Sequence, residues 1–71
     1  MEPRERELLT GMGNCYAACG ADFEATVGMV ADSRSRTPED VKQTLATMAR
    51  RYGAEAEYQK LRARLPPSFP F

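Results

Sequence analysis

The stretch Thr37-Pro38-Glu39-Asp40-Val41-Lys42-Gln43-Thr44-Leu45-Ala46-Thr47-Met48-Ala49-Arg50-Arg51-Tyr52-Gly53 decides the fold. Thr37 is a favoured N-cap, Pro38 suits the first helical position, and Glu39 and Asp40 put negative charge where a helix dipole favours it. Val41, Leu45, Met48 and Tyr52 then recur at intervals of four, three and four, which is one apolar stripe on a helix. Arg50 and Arg51 fall in the last turn, where the dipole favours cations, and Gly53 marks the stop.

Upstream, the polar segment 32–37 reads as a loop. Before it, Asp22 is a plausible N-cap for a short helix with Phe23, Val27, Val30 and Ala31 on one face. Further upstream, a helix is expected to start at Pro3. Leu8, Leu9, Met12, Cys15, Tyr16 and Cys19 form its stripe, and Gly20 is its natural end. Gly11 and Gly13 weaken this helix unless they allow close approach of a neighbouring helix. Downstream, Ala54, Tyr58, Leu61 and Leu65 give a fourth stripe, either a separate helix or a continuation of the third through Gly53. The ending Pro66-Pro67-Ser68-Phe69-Pro70-Phe71 cannot be helical. It is expected to be extended and polyproline-like, either mobile or docked by its Phe rings.

The expected architecture is all-α: a small orthogonal three- to four-helix bundle over residues 1–65 with an extended proline-rich tail over 66–71. The expected core is Leu8, Met12, Tyr16, Phe23, Val27, Val30, Val41, Leu45, Met48 and Tyr52.

With 71 residues and 42% apolar content there is enough for one core, and little for a deep cleft beside it. The chain has no His for general-base work or for activating Cys15 or Cys19. Two cysteines without His do not make a structural zinc site in one chain. Four apart on one helix face, they are poorly placed for a disulfide and read as small hydrophobes in a reducing compartment. No apolar run approaches the ~20 residues of a membrane span, and the mixed-charge start lacks a signal peptide's apolar stretch. An intracellular, nuclear or cytoplasmic, non-enzymatic domain is expected, with no metal or cofactor and no small-molecule ligand.

The ten basic and ten acidic residues cancel, which gives no general pull toward nucleic acid. They are unevenly spread: residues 1–33 hold six acids against Arg4 and Arg6, whereas residues 34–71 hold eight cations against four acids. The segment Ser33-Arg34-Ser35-Arg36-Thr37-Pro38 also resembles a phosphorylation site, with arginines upstream and proline after the threonine.

Several short segments carry a family resemblance. They are Glu7-Leu8-Leu9, Gly20-Ala21-Asp22-Phe23, Ser35-Arg36-Thr37, Val41-Lys42-Gln43 and Arg50-Arg51-Tyr52. Across residues 5–53 the chain resembles SANT/Myb-like domains. In the co-repressor type a Gly-x-Asp-Phe junction opens the second helix, and Val-Lys-Asn/Gln followed by Arg-Arg-aromatic lies in the third. The family usually places three bulky core aromatics, often Trp. Here Phe23 fits the middle position, Leu8 or Leu9 stands near the first and Leu45 near the third.

The resemblance implies a non-catalytic protein-interaction module, a small subunit or adaptor of a larger complex of the chromatin or transcription type. A helix-turn-helix DNA-binding protein is the alternative. A small adaptor or inhibitor docking on a larger protein, without the family tie, is the third reading. The expected partner is a protein with an acidic surface, with nucleic acid as the alternative. The residues expected to meet it are Arg50, Arg51, Arg62 and Arg64, with Phe69 and Phe71 as aromatic anchors.

Overall fold

The computed structural model describes residues 1–71. Four helices follow in order: α1 over Pro3–Cys15, α2 over Phe23–Ser33, α3 over Pro38–Tyr52 and α4 over Ala56–Arg62. The fold is the expected all-α bundle. None of its helices is long and apolar enough to cross a membrane.

The helix starts follow the local chemistry. The Thr37 hydroxyl accepts a hydrogen bond from the Asp40 amide at 3.1 Å, and the Asp22 carboxylate accepts one from Ala25 N at 2.8 Å. Each satisfies an amide that the helix itself leaves unpaired. At α1 the cap is Glu2, with Glu5 closing a capping box by accepting from Glu2 N at 2.8 Å.

The ends are less regular. α1 gives way to turns after Cys15, short of Gly20. Ala21 N then donates to Tyr16 O at 2.9 Å, and Gly20 and Ala21 both adopt positive φ. α2 runs on to Ser33, into the segment expected as loop. α3 and α4 are separate helices, divided by a turn in which Glu55 N donates to Tyr52 O at 2.9 Å.

The helix stripes close on one core. Leu8, Leu9, Met12, Val27, Val30, Ala31, Val41, Leu45, Met48 and Tyr52 are buried, and so are Tyr58, Leu65 and Phe69. Of the expected set, Tyr16 and Phe23 are only half-buried and pack along its margin. α1 packs against every other helix, and α2 packs closely on α3. What lies against Gly11 and Gly13 is arginine side chains, not the backbone of a neighbouring helix. A Cβ on Gly11 would lie 2.7 Å from Arg34 Nη2, and one on Gly13 would lie 3.5 Å from Arg64.

The tail is non-helical and docked. It is turned rather than straight, because Phe69 N donates to Pro66 O at 3.1 Å and Phe71 N to Phe69 O at 2.9 Å. The Phe69 ring meets Phe23 edge-on at 5.3 Å and Tyr16 at 6.4 Å, both favourable aromatic geometries.

Candidate interaction surface

The six residues expected to contact a partner divide into two groups. Arg62 folds over the tail, and Arg64, though exposed, is engaged with α1. The Arg62 guanidinium donates to four carbonyls: Phe71 O at 3.1 Å, Leu65 O at 3.3 Å, Pro66 O at 3.0 Å and Phe69 O at 2.9 Å. It also sits 4.6 Å from the centre of the Phe71 ring, a cation–π distance. A flat guanidinium with five donors suits this task, and an ammonium would not. Arg64 crosses to α1 and donates to Asn14 Oδ1 at 2.9 Å.

Phe69 is only 4% exposed, so it serves the core and is no free anchor. Phe71 is half-buried between Phe23 and Arg62. The tail's rings pack on the bundle's own Tyr16 and Phe23. The sequence held one signal for this outcome: an apolar tail and two aromatics on the margins of α1 and α2, each otherwise incompletely covered.

Arg50 and Arg51 keep exposed side chains at the end of α3. Arg50 Nη2 donates to the Thr47 hydroxyl at 3.3 Å, and Arg51 lies 5.3 Å from the centre of the Tyr52 ring. Neither has a carboxylate within ion-pair distance; the four ion pairs belong to Arg6, Arg36 and Lys42. Tyr52 beneath them is fixed, donating its hydroxyl to Glu5 Oε1 at 2.8 Å. That bond holds the Tyr52 hydroxyl's pKa above its usual range. The Glu5 carboxyl is held below its own, first by the Glu2 amide and then by Tyr52.

The opposite end of α3 has another character. Glu39 and Asp40 occupy its first turn. Lys42 pairs with Glu24 across α2 at 2.6 Å and with Glu39 at 3.7 Å. Both contacts raise its pKa, the Glu24 hydrogen bond most. Arg36 is tied to Asp40 at 2.7 Å and to the Thr44 hydroxyl at 2.6 Å.

The thiols are free. Cys15 packs against the core margin, and Cys19 Sγ approaches Met29 Sδ at 3.8 Å. No three side chains of His, Cys, Asp or Glu come together as a metal-binding group. No protein-family model matches the chain, and no curated protein or solved structure matches it either.

Proposed function

We propose that the chain is a non-catalytic, SANT-like interaction module that docks on an acidic protein surface through Arg50 and Arg51. By the family resemblance it serves as a small subunit or adaptor of a larger complex of the chromatin or transcription type, and it works inside the cell. The observation that carries the reading is the pair of exposed guanidiniums on a fixed helix end, with no carboxylate of the chain within ion-pair distance of either. Arginines beside an aromatic ring are common anchors at protein interfaces.

The acidic start of α3 favours a protein partner over DNA. A recognition helix reads bases with its N-terminal residues, and here that turn carries Glu39 and Asp40, with Lys42 already paired.

The test titrates a Glu/Asp-rich peptide and random duplex DNA against the chain at about 0.15 M salt, the physiological range. The peptide is expected to bind saturably. The Arg50→Glu/Arg51→Glu variant is expected to lose that binding and keep its thermal melt. Tighter binding of DNA, falling steeply with salt, overturns the proposal, as does unchanged peptide affinity in the variant.

A further inference from the structure

Sulfur side chains meet where the chain passes from α1 to α2. The two helices run back along each other. Arg34, at the end of α2, reaches Glu7 O at 3.1 Å, and Cys19, just past α1, meets Met29. Cys15 lies on the α1 side between those contacts. Cys19 N donates to Cys15 O at 3.2 Å and Tyr16 keeps helical dihedrals, so one helical turn separates the two thiols. Residues four apart on such a turn share a face, with Cβ atoms about 5–6 Å apart, close enough for both sulfurs to reach one ion.

The third sulfur is already in place. Met29 Sδ stands 3.8 Å from Cys19 Sγ. Three sulfurs at about 2.3 Å from one ion, the usual metal–thiolate length, stand about 4 Å apart when trigonal. The core does not use Met29: it is 46% exposed, the one large hydrophobic side chain left in water. That is unusual for methionine, whose flexible chain readily fills gaps in a core. Both thiols are free and half-buried, and Cys15 is backed by the core margin.

The donor set selects the ion. The chain has no His, and no carboxylate completes a three-ligand group with the thiols. Hard cations seek oxygen, and zinc sites are built from thiolate, imidazole and carboxylate. A thioether is a neutral, soft ligand, and thiolate with thioether selects Cu(I).

We propose that Cys15, Cys19 and Met29 bind one Cu(I) ion as a three-sulfur site at the junction of α1 and α2. Binding breaks two S–H bonds and forms two copper–thiolate bonds. Both protons pass to solvent, Met29 donates a lone pair, and the copper stays Cu(I) throughout. No metal is expected from two cysteines without His; the thioether changes that. Met29 lies ten residues beyond Cys19 and joins the thiols only because the fold returns α2 along α1. The site is separate from Arg50 and Arg51 and does not rest on their role.

The experiment titrates the reduced full chain with Cu(I), without oxygen, in competition with the Cu(I) chelator bathocuproine disulfonate. X-ray absorption at the copper edge counts the sulfur ligands. One Cu(I) per chain is expected to be held against the chelator, with three sulfurs around it. Two protons are expected to be released per ion, and affinity to rise with pH, because the thiols must ionise. Met29→Leu keeps the exposed apolar bulk. It is expected to lower the sulfur count to two and to weaken binding about tenfold or more, since losing even an outer hydrogen-bond partner of a metal site costs about that. Cys19→Ala is expected to abolish binding with the helices retained. Arg50→Glu/Arg51→Glu is expected to leave it unchanged.

Failure to hold Cu(I) against the chelator overturns the proposal. So does unchanged affinity and sulfur count in Met29→Leu. One ion per two chains overturns the single-chain site, and preference for Zn(II) over Cu(I) in direct competition overturns the choice of a soft ion.

Discussion

The Tyr52 hydroxyl donates to Glu5 Oε1 at 2.8 Å, fastening the last residue of α3 to the first turn of α1 across 47 positions of sequence. The same carboxylate accepts the Glu2 amide that caps α1. One side chain thus finishes a helix start and closes a tertiary contact.

The bond makes stability depend on pH at both extremes. Glu5 has a lowered pKa in the folded chain, so its contribution is present above the unfolded glutamate value of about 4.3. It is lost as pH falls through the lower folded value. Tyr52 has a raised pKa, so its contribution is present below the unfolded tyrosine value of about 10 and is lost as pH rises through the folded one. Tyr52→Phe is expected to lower the melting temperature at neutral pH and to flatten the alkaline arm of stability against pH. Thermal melts from acid to alkaline pH check this, and parallel curves for the two proteins would refute the coupling.

Gly53 ends α3 for an unexpected reason. Its φ is −55°, so no left-handed turn requires a glycine there. The constraint is space: a Cβ would lie 2.5 Å from the Ala49 carbonyl oxygen. A backbone atom cannot swing aside as a side chain can. Gly53→Ala is expected to cost about 1–3 kcal/mol, as overpacking does. A denaturation midpoint equal to that of the wild type would show that the α3–α4 turn relaxes freely.

Ala21 gives the opposite case. It holds φ +58° next to Gly20 at +65°, and its side chain is exposed. The left-handed region costs an L-residue with a Cβ roughly 1–2 kcal/mol. Ala21→Gly removes that strain, while its looser unfolded chain offsets about 0.5–1 kcal/mol. A small net rise in denaturation midpoint is expected. A fall would mean that the unfolded-state entropy outweighs the strain.

These positions show what local sequence encodes. Thr37-Pro38 and Asp22 could be read directly, because a cap bonds amides only a few residues away. The stripes of α2 and α3 were legible for the same reason, since periodicity is local. Burial of Tyr58, Leu65 and Phe69 was legible only as a stripe and a possible docking, because α4 packs on α1 and Phe69 on Tyr16 and Phe23, all far off in the chain. The arginines were hardest to place. Arg62 and Arg50 look alike in sequence, each near a helix C-terminus, and only the fold brings four carbonyls to one of them. Glycine carried the clearest missed hint. Gly11 leaves room on α1 for the Arg34 guanidinium, which a Cβ would meet at 2.7 Å, whereas a Cβ on Gly13 would make ordinary contact with Arg64 at 3.5 Å.

The tail offers the most consequential stability prediction. Phe69 is 4% exposed and touches the rings of Tyr16, Phe23 and Phe71. Truncating a buried Phe costs about 3–5 kcal/mol, while a small domain has only about 5–15 kcal/mol in total. Phe69→Ala is therefore expected to unfold a large share of the population near 37 °C, although it lies outside every helix. Arg62→Lys tests the polar half of the same contact. The variant keeps the charge but presents three rotatable donors in place of a flat fork, so it cannot reach all four carbonyls at once. It is expected to keep the helices while the Phe69 amide, bonded to Pro66 O in the wild type, loses protection from hydrogen exchange. If Phe69→Ala melts as the wild type does, the aromatic contacts contribute nothing and the tail is not part of the core. If the Phe69 amide stays protected in Arg62→Lys, the rings alone hold the tail and the carbonyl clamp is incidental.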